Sequence, residues 1–304
     1  MAQRSTPVFG YVSGSGLHQV PGIVRLAQQA DRDGLDLFSI TDHPYYGDRL
    51  DAYATIGFVL GATARIAGIA DVTNLPTRPA PMLARTLTSL SALSAGRVVL
   101  GIGAGGLWDR IASMGVPRLS PGAAVDAMAE AITLVRALSG GGAPVTSAGP
   151  RYPVTGIDPA PVPAPPVWTG SVGPRSLAVT GALADGWIPS GASDWHSELY
   201  RTSRPVVDEA ARKAGRDPAD VVTVYNLRGQ ITVRPLDRVR DEAGRWTGGS
   251  VAQWTDELTS AVLEHGAAGF LLFPAADDGA PEVTLGRWAQ EIVPAVREAA
   301  ARHS

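Results

Sequence analysis

Residues 35–103 read LDLFSITDHPYYGDRLDAYATIGFVLGATARIAGIADVTNLPTRPAPMLARTLTSLSALSAGRVVLGIG, and one pattern runs through this stretch twice. An apolar run, Leu35 to Thr41, gives way to a helical segment, Asp51 to Arg65. A second run, Ile66 to Thr73, gives way to a helix opened by Pro79 and stopped by Gly96. A third run, Arg97 to Gly103, follows. Short apolar runs bounded by turn residues read as buried strands, and the longer periodic segments between them as helices. Strands joined through helices, and not through tight turns, predict parallel pairing.

The same alternation extends in both directions. Val8 to Ser13 is a strand between Pro7 and Gly14, and Pro21 to Asp33 carries Ile23, Val24, Ala27 and Ala30 at helical spacing. Downstream, Gly122 to Leu138 is a helix. The Gly- and Pro-rich segment 140–165 is an excursion with a short hairpin, and Pro166 to Gly170 is a strand. A helix at Pro174 to Leu183 and a short strand at Gly186 to Ser190 come next. Trp195 to Ala214 is helical, Val221 to Val233 is a strand, and Arg234 to Gly249 is a charged loop. Helix Val251 to His265, strand Ala268 to Phe273 and helix Pro281 to Arg302 complete the chain. Eight strands alternating with eight helices over 304 residues predict an α/β chain folded as a (β/α)8 TIM barrel, one unit spanning 1–304. A doubly wound sheet is the rival arrangement.

Composition removes whole classes of function. There is no cysteine, so disulfide scaffolds, thiolate metal sites and cysteine nucleophiles are excluded. A net charge of −3 argues against a nucleic-acid surface. No apolar run reaches the ~18 residues of a membrane span. The N-terminus has no secretory pattern, so the expectation is a cytoplasmic protein. No pair of histidines has metal-ligand spacing, and no metal is expected.

Barrel enzymes place their sites at the carboxyl ends of the strands. There the second strand offers Asp42 and His43, followed by Tyr45 and Tyr46. His43 is the best single candidate for proton or hydride chemistry, because imidazole titrates near neutrality. A structural histidine beside Asp42 explains it about equally well. The glycine run 101–106 matches GxGxxG only formally, since it follows the fourth strand and not the first. Its small residues admit close approach of a ring or phosphate to the backbone. Gly170, Ser171, Val172 and Gly173 precede a helix that begins at Pro174 and Arg175, which is a candidate anion seat or an ordinary loop. Trp108, Trp195, Tyr225 and Phe273 lie near strand ends, with Tyr45 and Tyr46, where they would wall a ligand. Asn226 is polar in an apolar strand and needs a partner.

Three blocks in order, ADRDGLDLFSITDHPYYGDRLDAYATIGFVLGATARI followed by DVTNLPTRPAPMLARTLTSLSALSAGRVVLGIGAG, then WTGSVGPRSLAVTGALADGWIP, then VAQWTDELTSAVLEHGAAGFLLF, resemble the bacterial luciferase-like flavin- or deazaflavin-dependent oxidoreductases. The resemblance implies a barrel with a flavin across its strand ends, and a hydride, or oxygen with FMN, passed to or from a small organic substrate. It implies catalytic roles for His43 and Asp42. It places Ala70, Asp71 and Asn74 behind the ring, near a non-proline cis peptide within Ile69 to Val72. Gly103, Ala104 and Gly105 would lie along the ribityl chain. Gly170, Ser171, Val172, Gly173 and Arg175 would seat the phosphate. Coenzyme F420 is the preferred cofactor and FMN the alternative, with a homodimer through the second and third helices. Sugar-phosphate dehydrogenases of this family carry a glutamate where this chain has Gly106. The competing readings are a non-catalytic flavin-binding barrel and a barrel enzyme without flavin.

Overall fold

The computed structural model describes residues 6–190, 193–273 and 280–302. In chain order its elements are β1 (Val8–Ser13), α1 (Val20–Arg32), β2 (Leu37–Ile40), α2 (Ala52–Ala62), β3 (Ala67–Ala70), β4 (Thr73–Asn74), α3 (Ala80–Ser94) and β5 (Val98–Gly103). Then come α4 (Trp108–Ser113), α5 (Pro121–Ala137), β6 (Val145–Ser147), β7 (Val154–Ile157), β8 (Val167–Thr169), α6 (Pro174–Leu183), β9 (Gly186–Trp187) and α7 (Glu198–Lys213). The last third holds β10 (Val222–Arg228), β11 (Gln230–Thr232), β12 (Gly248–Ser250), α8 (Val251–His265), β13 (Ala267–Phe273), α9 (Pro281–Arg287) and α10 (Val293–Arg302).

Eight of these strands pair in parallel around a closed ring, in the order β1, β2, β3, β5, β8, β9, β10, β13 and back to β1. Closure excludes the doubly wound sheet and gives the (β/α)8 barrel. Inward side chains alternate with outward ones along each strand. Val12, Leu37, Ile69, Val99, Trp168, Ile188, Val224 and Leu271 fill the lumen. A larger apolar layer, including Phe9, Phe38, Ile56, Leu87, Trp254 and Trp288, lies between the strands and the helices. Gly10 faces the lumen because it must: a Cβ there would meet the carbonyl oxygen of Leu37 at 2.5 Å and Leu271 at 2.7 Å.

Four boundaries differ from the periodicity. The third strand is not continuous to Thr73, because a cis peptide joins Asp71 to Val72 between β3 and β4. The seventh strand breaks at Gly229, whose φ is +156°, where the chain passes within contact of Gly248. The charged loop is therefore partly ordered: β11 and β12 pair in parallel beside the barrel. The seventh helix starts at Glu198, capped by Ser197, and leaves Trp195 before it. The terminal helix is interrupted by a π turn over Trp288–Ile292. That turn brings Trp288 onto the first strand, where its Nε1 donates to the Gly10 carbonyl at 3.1 Å. The expected hairpin is β6 with β7, antiparallel. No helix among the described residues is long and apolar enough to cross a membrane.

Candidate active site

Four strand ends converge on one cavity of about 260 Å³ at the barrel mouth. The loop after β2 brings Asp42, His43 and Tyr45. The β3–β4 junction brings Asp71, Val72, Thr73 and Asn74. The turn after β5 brings residues 103–107, and Gly170 follows β8. These segments lie far apart in sequence, so the barrel alone assembles them.

Nδ1 of His43 is 2.7 Å from the hydroxyl of Tyr45, which leaves Nε2 as the ring nitrogen available to a ligand. Burial lowers the pKa of His43; the Arg49 guanidinium lowers it further, and Asp42 opposes both. The ring is therefore neutral at physiological pH. Tyr45 and Tyr46 meet edge to face at 4.9 Å, and Arg110 of α4 lies over the Tyr46 ring at 5.6 Å. A short helix that the periodicity did not reveal thus completes the lip of the cavity.

Asp42 takes its hydrogen bonds from groups other than the imidazole. Its side chain is 1 % exposed, and the carboxylate takes a bidentate pair from Arg78, at 2.8 and 2.9 Å. It also accepts the backbone N–H of Asn74 at 3.0 Å. Arg78 in turn reaches Asp51, the N-cap of α2, at 2.7 Å. Asp42 thus braces the β2 loop to the β4 loop while it lines the cavity beside His43. Arg78 was missed because nothing local in the sequence ties it to Asp42.

The glycines have a geometric reason. A Cβ on Gly103 would stand 2.9 Å from Cγ2 of Val72, and one on Gly170 would stand 3.2 Å from both Val72 methyls. Val72 therefore sits in a notch cut by two glycines from different strands. Gly105 has φ +99°, and Leu107 has φ +53°, so the turn needs left-handed backbone twice. Ala104 lines the cavity beside them. At β8 the buried Ser171 Oγ has no partner, and the loop Gly170–Gly173 feeds the N-terminus of α6, which has no side-chain cap. Asn74 Oδ1 and Asp71 Oδ2 are also buried without partners. Glycine notches, an uncapped helix start and orphaned buried polar atoms fit a planar ring with a phosphate-bearing arm.

Other expected residues lie elsewhere. Ala70 faces outward into the layer between strands and helices and does not line the cavity. Arg175 turns away from the 170–173 loop to pair with Asp126 of α5 at 2.7 Å, mostly exposed, and Val172 is an exposed tip. Trp195 and Tyr225 pack edge to face at 5.3 Å in the outer layer, beside Phe270. Strand alternation is the reason: Val224 fills the lumen, so Tyr225 must point out and Asn226 back in. Trp108 stands against Gly105 at the start of α4. Phe273, under the guanidinium of Arg228 at 5.2 Å, lines a second, larger cavity of about 730 Å³ between the ends of β1, β2 and β13. Ser13, Ser15, Thr41 and Arg49 share that cavity. Among the described residues no cluster of His, Asp and Glu is placed to hold a metal.

Known proteins share both fold and sequence with this chain. The 5,10-methylenetetrahydromethanopterin reductase of Methanolobus tindarius is 31 % identical over 202 residues, covering 66 % of this chain and 58 % of the reductase. An F420-dependent glucose-6-phosphate dehydrogenase of Microbacterium testaceum is 28 % identical over 229 residues, covering 72 % of this chain and 67 % of that enzyme. Among solved structures, the coenzyme F420-dependent tetrahydromethanopterin reductase of Methanopyrus kandleri superposes with a TM-score of 0.79 at 18 % identity, over 95 % of this chain and 99 % of that one. The family described as luciferase-like monooxygenase matches residues 7–268, from the first strand into the last. That span includes both glycine-bearing turns and the His43 loop, and the chain belongs to the luciferase-like monooxygenase family.

Proposed function

We propose that this chain is an oxidoreductase that passes a hydride between bound coenzyme F420 and a small organic substrate, with FMN as the alternative cofactor. The observation that carries the reading is the convergence of His43, the Gly103–Gly106 turn and Gly170 on one cavity. The names of the Microbacterium dehydrogenase, of which this chain covers 67 %, and of the Methanopyrus reductase structure support a deazaflavin over FMN. F420, when bound, supplies a two-electron hydride carrier; the protein supplies placement, exclusion of water and proton handling. Val72, held between Gly103 and Gly170, would support the ring. Ser171 and the N-terminus of α6 would take its phosphate. His43 would hold or move one proton at Nε2, with Tyr45 fixing the ring through Nδ1. The larger cavity, with Ser13, Thr41 and Phe273, is the place for the substrate.

The same reading has the 304-residue chain acting as one unit in the cytoplasm, and as a homodimer. Phe58 on α2 and Met82 and Leu93 on α3 support the dimer, being 70 %, 64 % and 86 % exposed. Titrating the purified protein with F420 and with FMN, and following fluorescence quenching, tests the reading. Saturable binding of F420 is expected. Binding of FMN alone would move the chemistry toward oxygen transfer, and binding of neither would remove the reading.

A further inference from the structure

Ser39, Asp71 and Asn226 reach one level of the lumen from β2, from the β3–β4 junction and from β10. Alternation puts them there, each two residues beyond an inward apolar side chain: Leu37, Ile69 and Val224. The barrel below is apolar, and the polar level is its ceiling under the active-site cavity, to which Asp71 contributes a wall. Ser39 and Asn226 both act on the Asp71 carboxyl, yet Ser39 Oγ, Asp71 Oδ2 and Asn226 Oδ1 are buried short of well-formed hydrogen bonds. Three polar groups from three separate segments, converging on one point with their hydrogen bonding incomplete, are too costly to be an accident of packing. They mark a place where a ligand edge or a proton is handled.

We propose that Asp71, braced by Asn226 and Ser39, is a second proton-exchanging residue of this site beside His43, and that it takes up a proton when a planar ligand fills the cavity. The inference rests on the redox reading of the cavity. Burial holds the Asp71 carboxyl up at about 6, while Asn226 and Ser39 draw it down. No charged group acts on it. At the end of β2, Asp42 is spent on Arg78, and His43 is neutral. Across the mouth, β1 presents Ser13 and β13 presents Phe273. A ring seated in the cavity closes the open side of the Asp71 wall, and this added burial raises its affinity for a proton. The proton comes from bulk solvent onto a carboxylate oxygen and returns when the ligand leaves; no electrons move. The neutral acid then offers an O–H donor to a ligand carbonyl or ring nitrogen that a carboxylate would repel.

Two measurements test this. Infrared titration of the ligand-free protein should show a carboxyl band with a midpoint near 6, absent in Asp71→Asn. In Ser39→Ala the same band should titrate at higher pH, because the hydroxyl that favours the ionised form is gone. Calorimetry of F420 binding at pH 7, run in two buffers of different ionisation enthalpy, should show uptake of about one proton per site in the wild type and none in Asp71→Asn. A band that titrates with ordinary carboxylates overturns the proposal. So does proton release on binding, or equal uptake in Asp71→Asn. Failure of the wild type to bind either cofactor overturns the redox reading itself, and the proposal with it. Should Asp71→Asn not fold, the direction of the Ser39→Ala shift decides.

Discussion

Nδ1 of His43 and the hydroxyl of Tyr45 lie 2.7 Å apart, so the tyrosine two residues downstream fixes the imidazole ring. This leaves Nε2 as the nitrogen open to a ligand. His43→Ala should lower turnover by about 10²-fold or more while changing cofactor affinity little, which steady-state kinetics beside fluorescence titration would show. Tyr45→Phe should lower turnover less, because the ring remains but loses its anchor.

The His43 ring should titrate below the ordinary histidine value of about 6.5, since burial and Arg49 both disfavour its charged form. Arg49→Gln removes one of these causes, and the NMR midpoint of His43 should then move up. A midpoint that stays put would place Arg49 too far away to matter.

Arg78 should be among the costliest side chains to remove. Its loss strands the Asp42 carboxylate, which is 1 % exposed at the side chain, with no counter-charge. Arg78→Ala should destabilise the fold by about 3–5 kcal/mol in urea unfolding. The double variant Asp42→Asn with Arg78→Met should lose less than Arg78→Ala alone, since no buried charge is left behind.

Asp71 binds its proton more tightly folded than unfolded, at about 6 against 3.8. Its contribution is therefore fully present below the unfolded value and is lost as pH rises through about 6. At pH 7 the folded state carries a penalty of about 3 kcal/mol on this account. Asp71→Asn should accordingly raise stability at pH 7 and change it much less at pH 4, read from thermal or urea unfolding at the two pH values.

The Val72 notch makes a reciprocal prediction. Gly103→Ala forces a methyl against Val72 and should cost about 1–3 kcal/mol, together with weaker cofactor binding. Val72→Ala in the same chain should recover most of the stability. Recovery of stability without recovery of binding is expected if Val72 also supports the ring.

The architecture was legible in the sequence because strands and helices have different apolar periods, and residues 35–103 state both twice. The gathering of His43 with two glycine turns was legible too, since barrel sites form at strand ends. What stayed hidden was orientation. Nothing around Asp42 reveals that its partner is Arg78, 36 positions away. The outward turn of Tyr225 depends on a register that one strand cannot report about itself. Arg175 is drawn off by Asp126 on another helix, and α4 is too short for its period to register. Local patterns fix elements; side-chain partners drawn from distant segments fix roles.

The bond from Trp288 to the Gly10 carbonyl has a consequence for biosynthesis. The stave β1 is made 278 positions before the tryptophan that bonds to it. Until then β1 waits beside an unfilled place where β13 will lie, with bare backbone groups along that flank. Nascent chains halted short of that point should be the sticky ones, because the barrel cannot close before β13 is made.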